Sequence, residues 1–284
     1  MNAHLDENCP PAAWIARLES QGEKHLVQVD GRRVAWHRFG DGPPLVLVHG
    51  GHGSWLHWVR NIESLARRSS VWVPDLPGYG ESGAAASTEL AAVVEPTIAS
   101  LDSLVGAGTG IDLVGFSFGG LVAAQLAAQR RHVRRLALLG PAGHGGRRRP
   151  RGKLVNWKAA AAAHDQAALA AAMRYNLTIH MLHDPARIDV LAVQVHTDSC
   201  IRTRFRSKTI SYTRNLGETL DAAGVEPLLI WGEHDVTAEP EVAIASLTLE
   251  RPGRRTQIVR GAGHWVQYEG ADEVNRLLLD WLGR

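Results

Sequence analysis

The stretch that decides the fold runs from Ile111 to Gln129, IDLVGFSFGGLVAAQLAAQ. Ile111–Val114 is apolar enough to be a buried strand, and from Leu121 onward the composition is that of a helix. Between them stands Gly115-Phe116-Ser117-Phe118-Gly119, a G-x-S-x-G pattern in the strand–turn–helix setting that a nucleophile elbow requires. A turn this sharp strains the backbone at its serine, and side chains two positions either side would collide, hence the glycines. The serine is thereby raised at the N-terminus of a helix, where the dipole favours negative charge.

Working outward, the same short apolar runs recur. They are Leu45–Val48, Val71–Val73, Arg135–Leu139, Leu228–Trp231 and Thr256–Val259, separated by helical patterns over 57–67, 89–105, 118–130, 240–248 and 271–282. Strands that are apolar on both faces and alternate with helices predict a mostly parallel sheet covered on both sides. Before them, residues 25–29 and 32–38 alternate around Asp30-Gly31, a dipeptide that favours a tight hairpin. The run from Leu139 to Leu228 breaks this rhythm, being far longer than an ordinary strand–helix connection. With helical patterns of its own over 158–174 and 186–196, it reads as a helical cap inserted after the sixth strand. The expected organisation is a core of 21–140 and 225–284, a cap of 141–224 and an N-terminal extension of 1–20.

A serine hydroxyl needs a base to take its proton. Two later loops offer one, each following an apolar run: Trp231-Gly232-Glu233-His234-Asp235 and Gly261-Ala262-Gly263-His264-Trp265. The chain order Ser117, Asp235, His264 suits a triad in which His264 is the base and Asp235 orients it, with Glu233 and His234 as lesser candidates. Negative charge on a former carbonyl oxygen calls for two N–H donors. Phe118, directly after the serine, supplies one, and Gly51 in His49-Gly50-Gly51-His52-Gly53-Ser54-Trp55 supplies the other. Asp75, in Pro74-Asp75-Leu76-Pro77-Gly78, reads as a partner for backbone amides.

Composition narrows the alternatives. Over 284 residues, 31 Lys+Arg against 29 Asp+Glu leave a formal charge of +2, too balanced for a chain built to neutralise phosphates. The run Arg147-Arg148-Arg149-Pro150-Arg151 reads as a solvated loop, so neither nucleic acid nor membrane is expected as a partner. Two cysteines build no disulfide framework and His180 with His183 lacks a third metal ligand, so no metal is expected, and the triad needs no cofactor. The first 20 residues lack the basic start and apolar core of a signal peptide, which points to the cytoplasm. The partner expected is a small-molecule substrate; a homodimer stays open.

Taken in order, LVLVHGGHGSW, PDLPGYGES, LVGFSFGG, LLIWGEHD and GAGHWVQYEGADEVNRLLLDWL resemble the α/β-hydrolase superfamily across nearly the whole chain apart from the cap and the first 20 or so residues. The resemblance implies the α/β-hydrolase fold and a Ser117–His264–Asp235 triad. Within the superfamily, the stretch from His264 to Arg276 and Arg60-Asn61 resemble the meta-cleavage product hydrolases, which cut a C–C bond in vinylogous diketones formed during aromatic catabolism. That likeness implies a substrate-contacting role for Trp265. Two departures stand out. Phe116 occupies the place where that group usually carries Asn, and His196 lies at the spacing of its ketone-polarising cap arginine, with Arg187, Arg202 and Arg204 nearby. Both bear on the enol–keto tautomerisation that C–C cleavage requires before attack. A carboxylesterase, lactonase or thioesterase would use the same triad without it, and a non-catalytic binding protein could share the scaffold. Gly50, Phe116, Trp55, Trp265 and His196 are the expected substrate contacts, with the aromatics forming an apolar pocket.

Overall fold

The computed structural model describes residues 10–283. Eight strands form one sheet: β1 (Gly22–Val29), β2 (Arg32–Phe39), β3 (Pro44–Val48), β4 (Ser70–Asp75), β5 (Ile111–Phe116), β6 (Val133–Leu139), β7 (Pro227–Gly232) and β8 (Arg255–Val259). Their spatial order is β1-β2-β4-β3-β5-β6-β7-β8, antiparallel from β1 to β4 and parallel from there to β8. Asp30 (φ 49°) and Gly31 (φ 72°) both take the left-handed conformation of the tight hairpin turn that their sequence favours.

The helices are α1 (Pro11–Ser20), α2 (Ile62–Ala66), α3 (Ala91–Val105), α4 (Phe118–Gln129), α5 (Lys158–Ala162), α6 (Gln166–His180), α7 (Val190–Ile201), α8 (Lys208–Ser211), α9 (Leu216–Ala223), α10 (Pro240–Thr248), α11 (Val266–Glu269) and α12 (Ala271–Leu282). The sheet is buried on both faces. Leu45, Leu47, Val114, Phe116, Leu139 and Ile230 belong to one core cluster, with residues of α1, α2 and α12. Their strand neighbours Val46, Val48, Leu113, Leu138 and Trp231 belong to another, with residues of α3, α4, α9 and α10. This double burial is why the strands read as continuous apolar runs rather than alternating ones.

Three local expectations change. The helix expected over 57–67 is a 3₁₀ turn, Trp55–Trp58, followed by α2. Between them the Asn61 amide donates to Gln267 O (3.0 Å) and Asn275 Oδ1 (2.9 Å), tertiary bonds that outweigh helix continuation. The helix expected over 158–174 is divided into α5 and α6, because His164 takes φ 54° and Asp165 caps the Ala168 amide. The helix expected over 186–196 starts late and runs on to Ile201, since Pro185–Arg187 is a 3₁₀ turn and Asp189 caps α7 at Ala192.

The segment between β6 and β7 carries α5 to α9 and rests on the core through Leu177, Met181, Leu182, Leu191 and Val195, all in the first cluster. Within the expected N-terminal extension, α1 buries Trp14 and Leu18 in that same cluster, while residues 1–9 lie outside the described residues. Among the described residues no helix is long and apolar enough to cross a membrane.

Candidate active site

Ser117 sits between β5 and α4 with φ 54° and ψ −119°, a left-handed backbone for a residue with a side chain. Neighbouring bonds hold it there: its amide donates to Leu139 O, and its carbonyl accepts from the Gly120 and Ala142 amides, each at 2.9 Å. A Cβ at Gly115 would lie 2.6 Å from the Ala123 methyl, so only glycine lets α4 pack this close to β5.

The ends of β7 and β8 deliver the other two side chains. His264 Nε2 lies 2.9 Å from Ser117 Oγ, and His264 Nδ1 lies 2.8 Å from Asp235 Oδ2. A carboxylate only accepts, so Nδ1 carries the proton and Nε2 faces the serine as a base. Asp235 is fully buried, and its Oδ1 accepts from the Thr237 amide (2.7 Å) and hydroxyl (2.8 Å). Burial alone would raise this carboxyl, but His264 and the Thr237 bonds hold it below its ordinary range.

Gly51 lies beside Phe118: a Cβ built on it would be 3.7 Å from Phe118 Cβ and 2.5 Å from Ser207 Oγ, so the segment carrying α8 covers this loop closely. The Phe118 amide opens α4, where first-turn N–H groups have no carbonyl one turn back. Two buried imidazoles brace the loop. His49 Nδ1 donates to Gly50 O (2.7 Å) while its Nε2 accepts from the Leu76 amide (3.0 Å), and His57 Nδ1 accepts from the Gly50 amide (3.3 Å). Burial pushes His49 down to about 4, so it stays neutral and keeps that tautomer.

Over Ser117 opens a cleft of about 270 Å³. Gly51, Phe116, Phe118 and His264 line its core side; Trp157, His180, Met181, His196 and Ser207 line the opposite side. Several expected contacts lie elsewhere. Trp265 is fully buried behind the cleft, its indole donating to His57 O (3.0 Å) and its ring 4.3 Å from that of Tyr268. Trp55 stacks on His37 at 4.3 Å, its amide bound to Asp75. Gly50 lies behind the lining, against Phe116 and Ser117 Cβ, and its amide is spent on His57. Arg204 donates to Gly80 O and Ser82 O, Arg202 pairs with Glu81, and Arg187 is exposed; none lines the cleft. Glu233 binds the Gly261 amide and His234 stacks on His183, both apart from the serine.

Other lining residues went unrecognised in sequence. Thr237 stands two positions after the acid, where a side-chain-to-backbone turn is a readable signal. His180, weighed only as a metal ligand, lies in the cleft with its ring 5.8 Å from that of His264. Among the described residues no group of three side chains could hold a metal ion. The arginine run is not wholly solvated either: Arg148 is half-buried in the cleft, and exposed Arg151 stands at its rim.

Comparison with known proteins agrees with this fold. The family model for the alpha/beta hydrolase family matches residues 45–277. The chain is 32% identical over 273 residues to the dihydrolipoyllysine-residue acetyltransferase component of the acetoin cleaving system of Pseudomonas putida, covering 90% of this chain and 68% of that one. It is 25% identical over 300 residues to a 2-hydroxy-6-oxononadienedioate/2-hydroxy-6-oxononatrienedioate hydrolase of Paraburkholderia phymatum, covering 95% and 99% respectively. Among solved structures, naproxen esterase (carboxylesterase NP) from Bacillus subtilis superposes with a TM-score of 0.70 at 19% identity, over 98% of this chain and 99% of that one. At that identity the likeness is one of fold.

Proposed function

The chain belongs to the alpha/beta hydrolase family, and from that premise we propose that it is a serine hydrolase cleaving a carboxylic ester of small, partly apolar substrates. The observation that carries this reading is the unbroken relay from Ser117 Oγ through His264 to Asp235, at 2.9 and 2.8 Å, opening on the cleft. Ser117 Oγ attacks the ester carbonyl as His264 Nε2 takes its proton, and the oxyanion forms against the Gly51 and Phe118 amides. Collapse breaks the C–O bond, His264 returns the proton to the departing alkoxide, and an acyl-Ser117 remains. Water, deprotonated by His264, then repeats the sequence and frees the acid. No cofactor enters any step.

The departures at Phe116 and His196 favour an ester over a C–C bond. Phe116 presents a ring 4.9 Å from that of His264, where a polar side chain would be needed to handle an enol. Burial pushes His196 down to about 4, so it offers no cation to polarise a ketone. An alkoxide leaving group needs only the proton that His264 holds. C–C hydrolysis is the second reading, favoured by the full-length similarity to the dienedioate hydrolase.

The test is kcat/KM for a p-nitrophenyl ester series against a 2-hydroxy-6-oxo-dienoate, with Ser117→Ala as control. Ester turnover with the dienoate inert supports the proposal, and a strong dienoate preference replaces it with C–C hydrolysis. Failure of a fluorophosphonate to label the folded wild type at Ser117 would leave a binding protein on a hydrolase scaffold.

A further inference from the structure

The cleft carries positive charge that the triad does not use. Arg148, Arg151 and Lys208 line it, and among the described residues no Asp or Glu does. His144, His180 and His196 also line it, but burial holds each below the ordinary histidine range, and His52 stands exposed at its edge. At neutral pH the charge therefore rests on two guanidiniums and one ammonium.

The arginine run sorts itself by direction. Arg147 pairs with Glu239 and Arg149 with Glu241 on the outer side, and Arg149 also donates to Glu233 O. Arg148 and Arg151 form no ion pair among the described residues. Arg148 is half-buried and fixed in place, its guanidinium 3.8 Å over the Tyr212 ring and one nitrogen donating to Ser211 O at 2.9 Å. Asp235, the acid that acts on it through space, is committed to His264. A half-buried cation without a carboxylate is costly to hold unless a ligand supplies the counter-charge. The same cleft is also lined by the apolar side chains of Leu154, Val155, Trp157 and Phe118.

We propose that the substrate carries a carboxylate, received by Arg148 with Arg151 and Lys208, and an apolar middle that leaves its scissile carbonyl at Ser117. A guanidinium suits a carboxylate because its planar fork can donate two parallel bonds. The inference rests on the serine-hydrolase reading for the carbonyl, but the anion subsite can be measured without catalysis.

The experiment compares the mono-4-nitrophenyl ester of adipic acid, which keeps a free carboxylate, with its neutral methyl ester. Wild type should prefer the acid by about tenfold or more in kcat/KM, the size of one partly desolvated charge pair. Arg148→Gln and Arg151→Gln should collapse that ratio toward unity, whereas Arg147→Gln, in the same run but facing outward, should leave it intact. In parallel, calorimetry should detect adipate binding to Ser117→Ala, weakened about tenfold by adding Arg148→Gln. Equal turnover of the two esters, or a ratio insensitive to Arg148, overturns the inference while sparing the hydrolase reading. Adipate bound by Ser117→Ala while wild type cleaves neither ester would spare the subsite and overturn the esterase. No adipate binding together with no preference overturns the subsite outright.

Discussion

The two walls of the cleft are built differently. On the core side, Ser117, Asp235 and His264 stand at the ends of three parallel strands, and Asp235 and His264 are nearly or wholly buried with their polar atoms paired. On the cap side, the lining comes from short helices and irregular chain; His180 Nδ1 is buried without a partner, and Leu154 and Tyr212 are half exposed. A fully satisfied polar network is rigid, and an incompletely satisfied one waits for something to complete it. On the hydrolase reading proposed above, this contrast assigns bond-breaking to the sheet and substrate choice to the cap.

The largest expected effect tests the core wall. Ser117→Ala and His264→Ala should each lower kcat by about 10⁴ or more, and Asp235→Asn by about 10⁴ through the wrong imidazole tautomer, with far-UV dichroism unchanged. A folded Asp235→Asn enzyme with most of its activity would remove the acid from its role and dissolve the distinction between the walls.

Next comes a pH effect that both walls share. His49, behind the core-side loop, and His196, on the cap, are each pushed by burial from 6.5 down to about 4. The unfolded chain takes up these protons near pH 6.5 while the folded chain refuses them, so stability falls as pH drops from about 6.5 to 4. Each histidine contributes a slope of about 1.4 kcal/mol per pH unit across that window. Urea unfolding from pH 7 to 4.5 measures it, and His196→Asn should remove about one proton from the slope. An unchanged slope would mean that His196 is protonated on folding and the cap wall is wetter than its burial implies.

The two walls also differed in how far they could be read from sequence. The core side was open to reading because each signal there is local: a continuous apolar run marks a doubly covered strand, two glycines flank the serine, and loops after successive strands carry Asp235 and His264. The cap side depends on tertiary partners. Nothing in Arg147-Arg148-Arg149 tells which arginine meets Glu239 and which faces the cleft, since that depends on tertiary partners distant in sequence. Trp265 fails as a contact for a similar reason. Its position beside His264 suggests the substrate, yet its indole finds the carbonyl of His57, more than 200 residues away in sequence. The helix expected over 158–174 differs in extent because its alanine-rich periodicity carries no mark of where His164 turns left-handed, whereas the later start of α7 is signalled by Asp189, a residue type that favours the N-cap.

Glu269 tests whether the walls are independent at all. Its carboxylate accepts from the Gly263 amide (2.6 Å), directly before His264, and from the His183 and Asp184 amides (2.9 and 2.6 Å) on the cap. Glu269→Gln removes one acceptor and turns an NH₂ group toward N–H donors, which should cost about 2 kcal/mol in urea unfolding. If cap and histidine loop are fastened through this residue, kcat should fall with it. A change confined to KM would show that the cap moves without disturbing His264.

The smallest effect lies at Thr237, which touches the acid and base without touching the reacting atoms. Its hydroxyl donates to Asp235 Oδ1 and lies 3.1 Å from His264 Nδ1, fixing the angle at which the carboxylate meets the imidazole. Thr237→Val keeps the shape and the backbone bond but leaves Oδ1 short of one donor. The expected loss is about tenfold in kcat with KM nearly unchanged, since one neutral hydrogen bond to a charged group is worth roughly 1.5–3 kcal/mol and the amide at 2.7 Å remains. Thr237→Ser, which restores the hydroxyl, should recover most of the rate. That rescue separates positioning of the triad from simple packing: if Val and Ser behave alike, the hydroxyl does nothing for Asp235, and the rigidity of the core wall comes from burial and the strand ends alone.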